Sequence, residues 1–474
     1  MQQPPVTISE PLARPQPAAA STGAMLLVAL LSAAGFALTV AFLFPGYLTN
    51  DATYVHDFIQ GWRLGDWQSP LMTILWWLID PVSPGSGSMF LLVAAMYWLG
   101  FGVLAATVAR RSPTLAITVP LLALTPPAIM LLSMIWRDIL FAVTWLLAAA
   151  IVYAVADRGG PWRGPVRVLA FLLVAFGVLL RPNSIFAAPL LFAYVAWPTR
   201  FAWKRTALMF VPAALAGYGL VHVVYYEILH VKRENPLHSL LVFDLGGITH
   251  FSKENQFPVS WSADETALLT SRCYDPTHWD SYWTLDPCKF VMARLERPDD
   301  PIFGTPRLLQ AWIHAVAAHP LAYLEHRATF QWTFLVHANL SLELFKMILP
   351  DETPLAHNRL FLSLLPLHEA LKSSILYRAG AWLILAVAIG GWAWPARATP
   401  SGAFALAVTG SAIFYVMTFT LLGVAADFRY AYWCVLGSLA GLLPALLARR
   451  DQGAVSEIAA SKIIAPKITA PLSA

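Results

Sequence analysis

Long runs of apolar residues alternate with short polar connections along most of this chain. A helix that crosses a bilayer needs roughly 20 mainly apolar residues, and about ten runs approach that length. The predicted spans are Ala24–Phe44, Met89–Ala109, Thr114–Met134, Ile139–Ala156, Arg167–Leu180, Ile185–Trp197, Thr206–Ile228, Leu376–Trp394, Gly402–Ala425 and Tyr430–Leu447. Two of them are short and flank Arg181-Pro182-Asn183, where a re-entrant pair is the alternative to two spans. The pattern predicts an all-α, polytopic membrane protein.

The polar stretches between the spans divide the chain further. In the first loop, residues 45–88, apolar residues recur at helical spacing and predict an amphipathic helix on the membrane surface, capped by Thr49 or Asn50. Residues 229–375 are too many for a bare loop and predict a small, mostly helical extracytoplasmic region, with one helical pattern at Leu308–Leu335. The predicted units are a disordered tail (1–23), an N-terminal transmembrane module (24–228), the extracytoplasmic region (229–375), C-terminal transmembrane helices (376–448) and a second, loose tail (449–474).

The basic residues predict how the chain is oriented, because loops on the cytoplasmic side carry an excess of Lys and Arg. With both termini in the cytoplasm, one set of short loops collects Arg110, Arg111, Arg158, Arg163, Arg167, Arg200, Lys204, Arg205, Arg397, Arg449 and Arg450. The simplest location is a bacterial inner membrane. The opposite face then collects acidic residues at the ends of spans: Asp51, Asp57, Asp66, Asp138 and Asp427. Carboxylates held against a bilayer are costly and usually functional.

Composition agrees with a membrane protein and excludes other classes. The chain is 58% hydrophobic and 12% charged, whereas soluble domains average about 25% charged residues. The net charge is only +4, and the basic residues form no stripe, so nucleic acid is not an expected partner. Cys434 lies in an apolar run. Cys273 and Cys288 lie in the extracytoplasmic region, where they are either disulfide-bonded or free thiols.

Four short polar groups on the acidic face are candidates for chemistry. They are Asp51, Trp136-Arg137-Asp138, Arg181-Pro182-Asn183 and Asp427-Phe428-Arg429-Tyr430. Each one alone is explained by a helix cap, a helix dipole or an interfacial anchor. Together, on one face and from distant parts of the chain, they favour a single site. His326 and Arg327, on a predicted outer helix, are weaker candidates.

This set of motifs resembles the GT-C superfamily of membrane glycosyltransferases, which includes protein mannosyltransferases and the aminoarabinose transferases that modify lipid A. The matching elements are an acid after the first span (Asp51), an Asp-Trp-x-x-Pro segment (Asp66, Trp67, Pro70), and then Trp-Arg-Asp, Arg-Pro-Asn and Asp-x-Arg-Tyr. Several members have an acidic pair after the first span, where this chain has Asn50-Asp51. The resemblance implies a polyprenyl-phosphate sugar donor and inversion at the anomeric carbon.

The resemblance also suggests roles for the residues. Asp51 is the candidate general base, with a pKa raised by the nearby lipid, and Asp138 is the second catalytic candidate. Arg181 and Arg429, and less strongly Arg137, would bind the donor phosphate. Asp138 could instead orient an arginine, contact the acceptor, or join Asp51 in holding a divalent cation, Mg²⁺ or Mn²⁺. Candidate substrate-binding residues are Asp57, Asp66, Trp67, Asn183, His326, Arg327, Asp427 and Tyr430.

The acceptor is a glycan, a lipid or a protein, and membrane lipids surround the chain. Three other functions remain open. A transporter or flippase of lipid-linked sugars would place its charges near the membrane midplane and use inverted repeats, which the sequence lacks. A membrane assembly factor without chemistry would tolerate conservative changes at Asp51. A lipid head-group phosphotransferase could use the same acids with a metal.

Overall fold

The computed structural model describes residues 22–156, 161–337 and 354–464. These residues form helices joined by short loops, and their only β-structure is three isolated bridges. The all-helical, multi-span architecture predicted from the sequence is confirmed. Residues 1–21 of the predicted N-terminal tail, Arg158 and residues 465–474 lie outside the described residues.

Eight helices within the described residues are long and apolar enough to cross a membrane. They are Thr22–Leu43, Ser86–Ala109, Arg137–Ala156, Arg163–Leu180, Trp203–Ile228, Ala379–Ala396, Pro400–Leu422 and Phe428–Arg450. A ninth candidate is a pair of segments, Pro113–Ala123 and Pro126–Ser133, with a 55° bend between them. Pro126 and Pro127 follow the break, and proline cannot continue the hydrogen-bond ladder of the preceding helix.

The predicted span Ile185–Trp197 is not one continuous helix in the structure. It consists of a 3₁₀ segment, Pro182–Phe186, and a helix, Ala188–Ala196. The side chain of Arg167, near the start of the preceding helix, donates hydrogen bonds of 2.8 Å to the carbonyls of Val195 and Ala196. The short segment therefore runs antiparallel to its neighbour and returns to the level at which that neighbour begins.

The charged residues separate to opposite ends of the helix bundle. At one end, which we call the basic end, Arg110 donates to the carbonyl of Ala154 at 3.0 Å. At the same end the amide of Phe201 donates to the carbonyl of Arg397 at 2.6 Å. The opposite ends of these helices carry Asp138, Arg181 and the segment around Asp427, and we call this the acidic end. The separation of charge expected from the sequence is therefore present in the fold.

The first loop forms two helices at the acidic end, Asn50–Gly61 and Pro70–Ile79. Thr49 caps the first helix, because its hydroxyl accepts a hydrogen bond from the amide of Ala52. Ala52, Val55 and Ile59 are buried as the periodicity predicts, whereas Trp62, in the left-handed region, is 54% exposed. This amphipathic helix therefore packs its apolar face on the protein and places Asp51 in its first turn.

Residues 229–337 and 354–375 also lie at the acidic end. Their helices are Leu237–Ser252, Ala263–Ser271, Phe290–Leu295, Pro306–Ala318, Pro320–Val336 and Arg359–Leu371. The single helical pattern predicted at Leu308–Leu335 is divided at Pro320, whose ring starts a new helix. A disulfide joins Cys273 to Cys288, with Cα atoms 5.5 Å apart. At the other end of the chain, the last helix, Tyr432–Ile464, continues into the segment predicted as a loose tail.

Candidate active site

A cleft at the acidic end brings together residues from four distant parts of the chain. Its empty space, counted to the open mouth, is about 270 Å³. Its walls are Asp51, Ala52, Val55, Gln68, Met72, Ile135, Trp136, Arg137, Asp138, Arg181 and Arg429. Two of the predicted groups, Asp51 and Trp136-Arg137-Asp138, therefore contribute in full to one site, with Arg181 of the third and Arg429 of the fourth.

Asp51 forms an ion pair with Arg429 on one side of the cleft. The Nη1 atom of Arg429 lies 2.7 Å from Oδ2 of Asp51. A second carboxylate, that of Asp427, lies 3.1 Å from Nε of the same guanidinium and accepts a hydrogen bond from the backbone amide of Arg429. The Asp51 side chain remains 39% exposed, whereas that of Arg429 is only 16% exposed. The carboxylate is thus held by arginine yet accessible from the cleft.

Local hydrogen bonds explain why Asp51 lies beside the Trp136-Arg137-Asp138 turn. The amide of Tyr47 donates to the carbonyl of Ser133 at 2.6 Å, and the amide of Ile135 donates to the carbonyl of Tyr47 at 3.2 Å. The indole of Trp136 donates to the hydroxyl of Thr49 at 2.7 Å. The residue that caps the Asp51 helix is thereby tied to the second group of the site.

Asp138 and Arg181 form a second, more deeply buried ion pair. Nε of Arg181 lies 2.7 Å from Oδ1 of Asp138, and the two side chains are 10% and 4% exposed. The hydroxyl of Tyr415 accepts a hydrogen bond from Arg181 at 3.2 Å, and the ring of Tyr430 lies 4.7 Å from its guanidinium carbon. A buried charge is tolerated only when it is paired in this way. Asp138 therefore orients an arginine, one of its three predicted roles.

Arg137 provides the third guanidinium in the cleft. Its Nη1 atom donates a hydrogen bond to the carbonyl of Trp67 at 3.0 Å. Three arginines and two aspartates line the cleft, and Asp427 pairs with Arg429 from outside its walls. Arginine binds phosphate oxygens in a bidentate geometry. The cleft therefore suits an anionic group beside a partly accessible carboxylate.

The expected pKa of Asp51 is wrong in direction. Burial raises the pKa of this carboxyl, as the sequence analysis anticipated, but the charge and hydrogen bond of Arg429 outweigh it. The charges of Arg137 and Arg181 act in the same sense, and the net result is a pKa below the usual value for aspartate. The sequence places Asp51 near lipid but does not reveal its arginine partner, 378 positions away.

The other predicted binding residues of the first loop lie outside the cleft walls. The Asp66 carboxylate accepts hydrogen bonds from the hydroxyl of Tyr226 at 2.8 Å and from the amide of Glu234 at 2.6 Å. It therefore joins the first loop to the segment after Ile228. Asp57 is exposed on the Asn50–Gly61 helix, and Asn183 is half-buried in the 3₁₀ turn after Arg181. The carbonyl of Trp67 accepts a hydrogen bond from a cleft arginine, Arg137.

His326 and Arg327 belong to a different, buried cluster. Nε2 of His326 lies 3.1 Å from Oδ1 of Asp244, and its Nδ1 lies 3.0 Å from the hydroxyl of Tyr274. Arg327 pairs with the same Asp244 oxygen. Both predicted binding residues are therefore structural, because their polar atoms are directed at Asp244 and their side chains are at most 3% exposed. Burial lowers the pKa of His326, which Asp244 only partly offsets.

This buried cluster also contacts the segment that leads to Arg429. Nη1 of Arg327 donates a hydrogen bond of 2.7 Å to the carbonyl of Gly423. From there the chain continues to Asp427 and Arg429. Asp244 lies in an apolar run and is closely followed by Gly246 and Gly247, a pattern that does not identify its partners. In the helix, Gly247 leaves room for His326, because a Cβ there would lie 2.3 Å from the imidazole ring.

The predicted divalent cation finds no suitable ligands here. Each of its two proposed ligands, Asp51 and Asp138, is already paired with a guanidinium. Within residues 22–156, 161–337 and 354–464, no three His, Cys, Asp or Glu side chains form a group that could hold a metal. Three arginines in the same cleft would repel a cation. The residues present do not fit the ion, and we derive no step through it.

Comparisons with known proteins add little to this picture. No protein-family model matches the chain, and no curated protein matches it. Among solved structures, the chain is similar to a crystal structure of ArnT from Cupriavidus metallidurans bound to undecaprenyl phosphate. The two share 14% sequence identity over 96% of this chain and 82% of that chain, with a TM-score of 0.31. At this TM-score the likeness carries no argument, and the proposals below depend on the residues themselves.

Proposed function

We propose that this protein is a membrane glycosyltransferase that moves a sugar from a polyprenyl-phosphate carrier to an acceptor hydroxyl. The observation that carries the proposal is the cleft in which the accessible carboxylate of Asp51 lies among three guanidinium groups. This combination provides a base and an anion site within one small space. The choice of a lipid-linked phosphate follows from the motif resemblance and from the position of the cleft at the ends of apolar helices. On the expected orientation, the cleft faces the extracytoplasmic side.

The proposed reaction is a single displacement. The acceptor oxygen attacks the anomeric carbon and transfers its proton to the Asp51 carboxylate, while the bond from the anomeric carbon to the phosphate oxygen breaks. The electron pair of that bond leaves with the phosphate, which remains on the lipid carrier. Attack opposite the leaving group inverts the anomeric centre. A positioned base of this kind typically contributes 10²–10⁴-fold to a rate.

The arginines would stabilise the phosphate as it leaves. Arg429 and Arg137 both line the cleft. Arg429 donates a hydrogen bond to Asp51 and Arg137 donates one to the carbonyl of Trp67, so part of the hydrogen-bonding capacity of each guanidinium is already used. Arg181 is held by Asp138 and Tyr415, so it provides a fixed positive charge at the base of the site. Fixed donors aimed at a developing charge are the main source of stabilisation in many enzymes.

The test is sugar release from a panel of polyprenyl-phosphate sugars by protein in lipid nanodiscs. We compare wild type with Asp51→Asn, and use Asp57→Asn as the matched control because Asp57 is exposed on the same helix. The proposal predicts turnover of one donor, a loss of at least about 100-fold in Asp51→Asn, and wild-type rates in Asp57→Asn. Equal turnover in all three proteins would exclude Asp51 as the base. Binding of a donor without turnover, accompanied by flux across vesicles, would favour a transporter.

A further inference from the structure

Three tryptophans gather beside the cleft. The rings of Trp279 and Trp283 are stacked, with centroids 5.4 Å apart and planes 18° from parallel. The ring of Trp67 lies 5.9 Å from each of them. Since the carbonyl of Trp67 accepts a hydrogen bond from Arg137 of the cleft, this group adjoins the cleft directly. We call Trp67, Trp279 and Trp283 the tryptophan cluster.

The loop that carries two of these rings is fixed to the site from two directions. The Cys273–Cys288 disulfide closes the loop. The amide of Trp279 donates to the carbonyl of Val424 at 2.9 Å, and the amide of Ala426 donates to the carbonyl of Thr277 at 2.6 Å. Val424 and Ala426, which make these hydrogen bonds, lie just before Asp427 in the chain. The rings are therefore held in register with the segment that carries Arg429.

Asp280 lies between the two stacked tryptophans in the sequence and is half-buried. The hydrogen bonds found at Asp280 within the described part of the chain are accepted by its backbone carbonyl, from Trp283 and Thr284. Burial raises the pKa of Asp280 above its usual value. Among the neighbouring charges, those of His278 and Arg429 lower this pKa and that of Asp51 raises it. Asp280 is therefore within electrostatic reach of the Asp51–Arg429 pair, and its hydrogen-bonding capacity is available to a ligand.

The exposure of the cluster argues against a membrane belt, the usual reason for tryptophans at this level. Trp279 is only 5% exposed, whereas Trp283 is 44% exposed although Trp279 covers one of its faces. A carboxylate beside the rings would be costly in lipid. A flat aromatic surface next to a free hydrogen-bond acceptor suits a ligand that is apolar on one face and rich in hydroxyl groups at its edge. A pyranose ring has this character.

We propose that the tryptophan cluster and Asp280 form an acceptor subsite that binds a pyranose of the acceptor glycan, with its apolar face on Trp283 and a hydroxyl donating to Asp280. This inference rests on the proposed function, because it names the acceptor class for the same site. It implies that the acceptor is a carbohydrate, or a lipid or protein already carrying one.

Direct binding provides a test that does not need turnover. Protein in nanodiscs is titrated with the methyl pyranosides of glucose, galactose, mannose and N-acetylglucosamine, and binding is followed by saturation-transfer difference NMR. Trp283→Ala should weaken binding by roughly tenfold or more, Asp280→Ala should weaken it as well, and Trp283→Phe should retain most of it. Trp332→Ala is the control, since Trp332 is 64% exposed on the Pro320–Val336 helix.

Each result separates this inference from the proposed function. Absence of binding by wild type to all four pyranosides, or equal binding by wild type and Trp283→Ala, overturns the subsite. Equal losses in Trp283→Ala and Trp332→Ala would indicate interaction of the sugars with exposed tryptophan in general, and would overturn it too. Sugar release from the donor panel is measured on the same samples. If wild type binds pyranosides through Trp283 but releases no sugar, the subsite stands and the transferase proposal fails.

Discussion

Arg429 and Asp51 are 378 positions apart in the chain, yet their Nη1 and Oδ2 atoms are 2.7 Å apart. The pair joins the loop before the last long helix to the first turn of the first outer helix. A phosphate entering the cleft would compete with Asp51 for this guanidinium. In the proposed mechanism, donor binding would therefore be linked to release of the carboxylate for catalysis, and both would act through Arg429.

We expect changes at Arg429 to weaken binding of polyprenyl phosphate. Arg429→Lys keeps the charge but removes the bidentate geometry, and Arg429→Gln removes both. Because hydrogen bonds to charged groups are worth about 1.5–3 kcal/mol, the affinity of Arg429→Gln should fall by at least about tenfold, with Arg429→Lys intermediate. Binding of the lipid phosphate in nanodiscs measures this. Arg307→Lys, in an exposed pair with Asp300, is the control, and unchanged affinity in Arg429→Gln would exclude the assigned role.

The pH dependence of turnover tests the state of Asp51. The pKa of Asp51 in the folded protein is below the ordinary value. Ionised Asp51 therefore contributes to folding stability above the pKa of the unfolded chain, and this contribution is lost as pH falls through the lower pKa of the folded protein. We expect kcat/KM to show no loss from protonation of Asp51 between pH 7 and about pH 5. In Arg429→Gln burial should dominate, and the acid limb should move to higher pH. An acid limb near neutrality that is identical in both proteins would contradict this assignment.

The sequence predicts this site because its charges lie at the ends of apolar runs. Asp51, Asp138 and Arg181 stand out for that reason, and their shared face follows from the loop charges. Pairing could not be predicted in the same way, because it depends on how helices pack. Asp244 meets His326 across 82 positions, and together with Arg327 they form a buried cluster where the sequence suggested binding. Asp280 was missed because it lies in a short 3₁₀ turn without helical periodicity.

The buried Asp138–Arg181 pair should be needed for folding as well as for function. Asp138→Asn would leave the guanidinium of Arg181 buried without its counter-charge, and breaking such a pair typically costs about 3–5 kcal/mol. We expect a large fall in the midpoint of thermal unfolding in nanodiscs. The double variant Asp138→Asn/Arg181→Gln should recover part of the loss, because no unpaired charge remains. Asp57→Asn should have little effect. If the double variant were as unstable as the sum of the two single variants, the pair would not be coupled.

The Cys273–Cys288 disulfide should stabilise the loop that carries Trp279, Asp280 and Trp283. It links residues separated by 15 positions, and the chain-entropy model gives about 3 kcal/mol for a loop of that length. The double variant Cys273→Ser/Cys288→Ser should lose hydrogen-exchange protection at the amides of Trp279 and Trp283, and its pyranoside binding should weaken. Dithiothreitol should produce the same changes in wild type and none in the double variant. Protection that is unaffected by both treatments would mean that the backbone pairing with Val424 and Ala426 holds the loop without the disulfide.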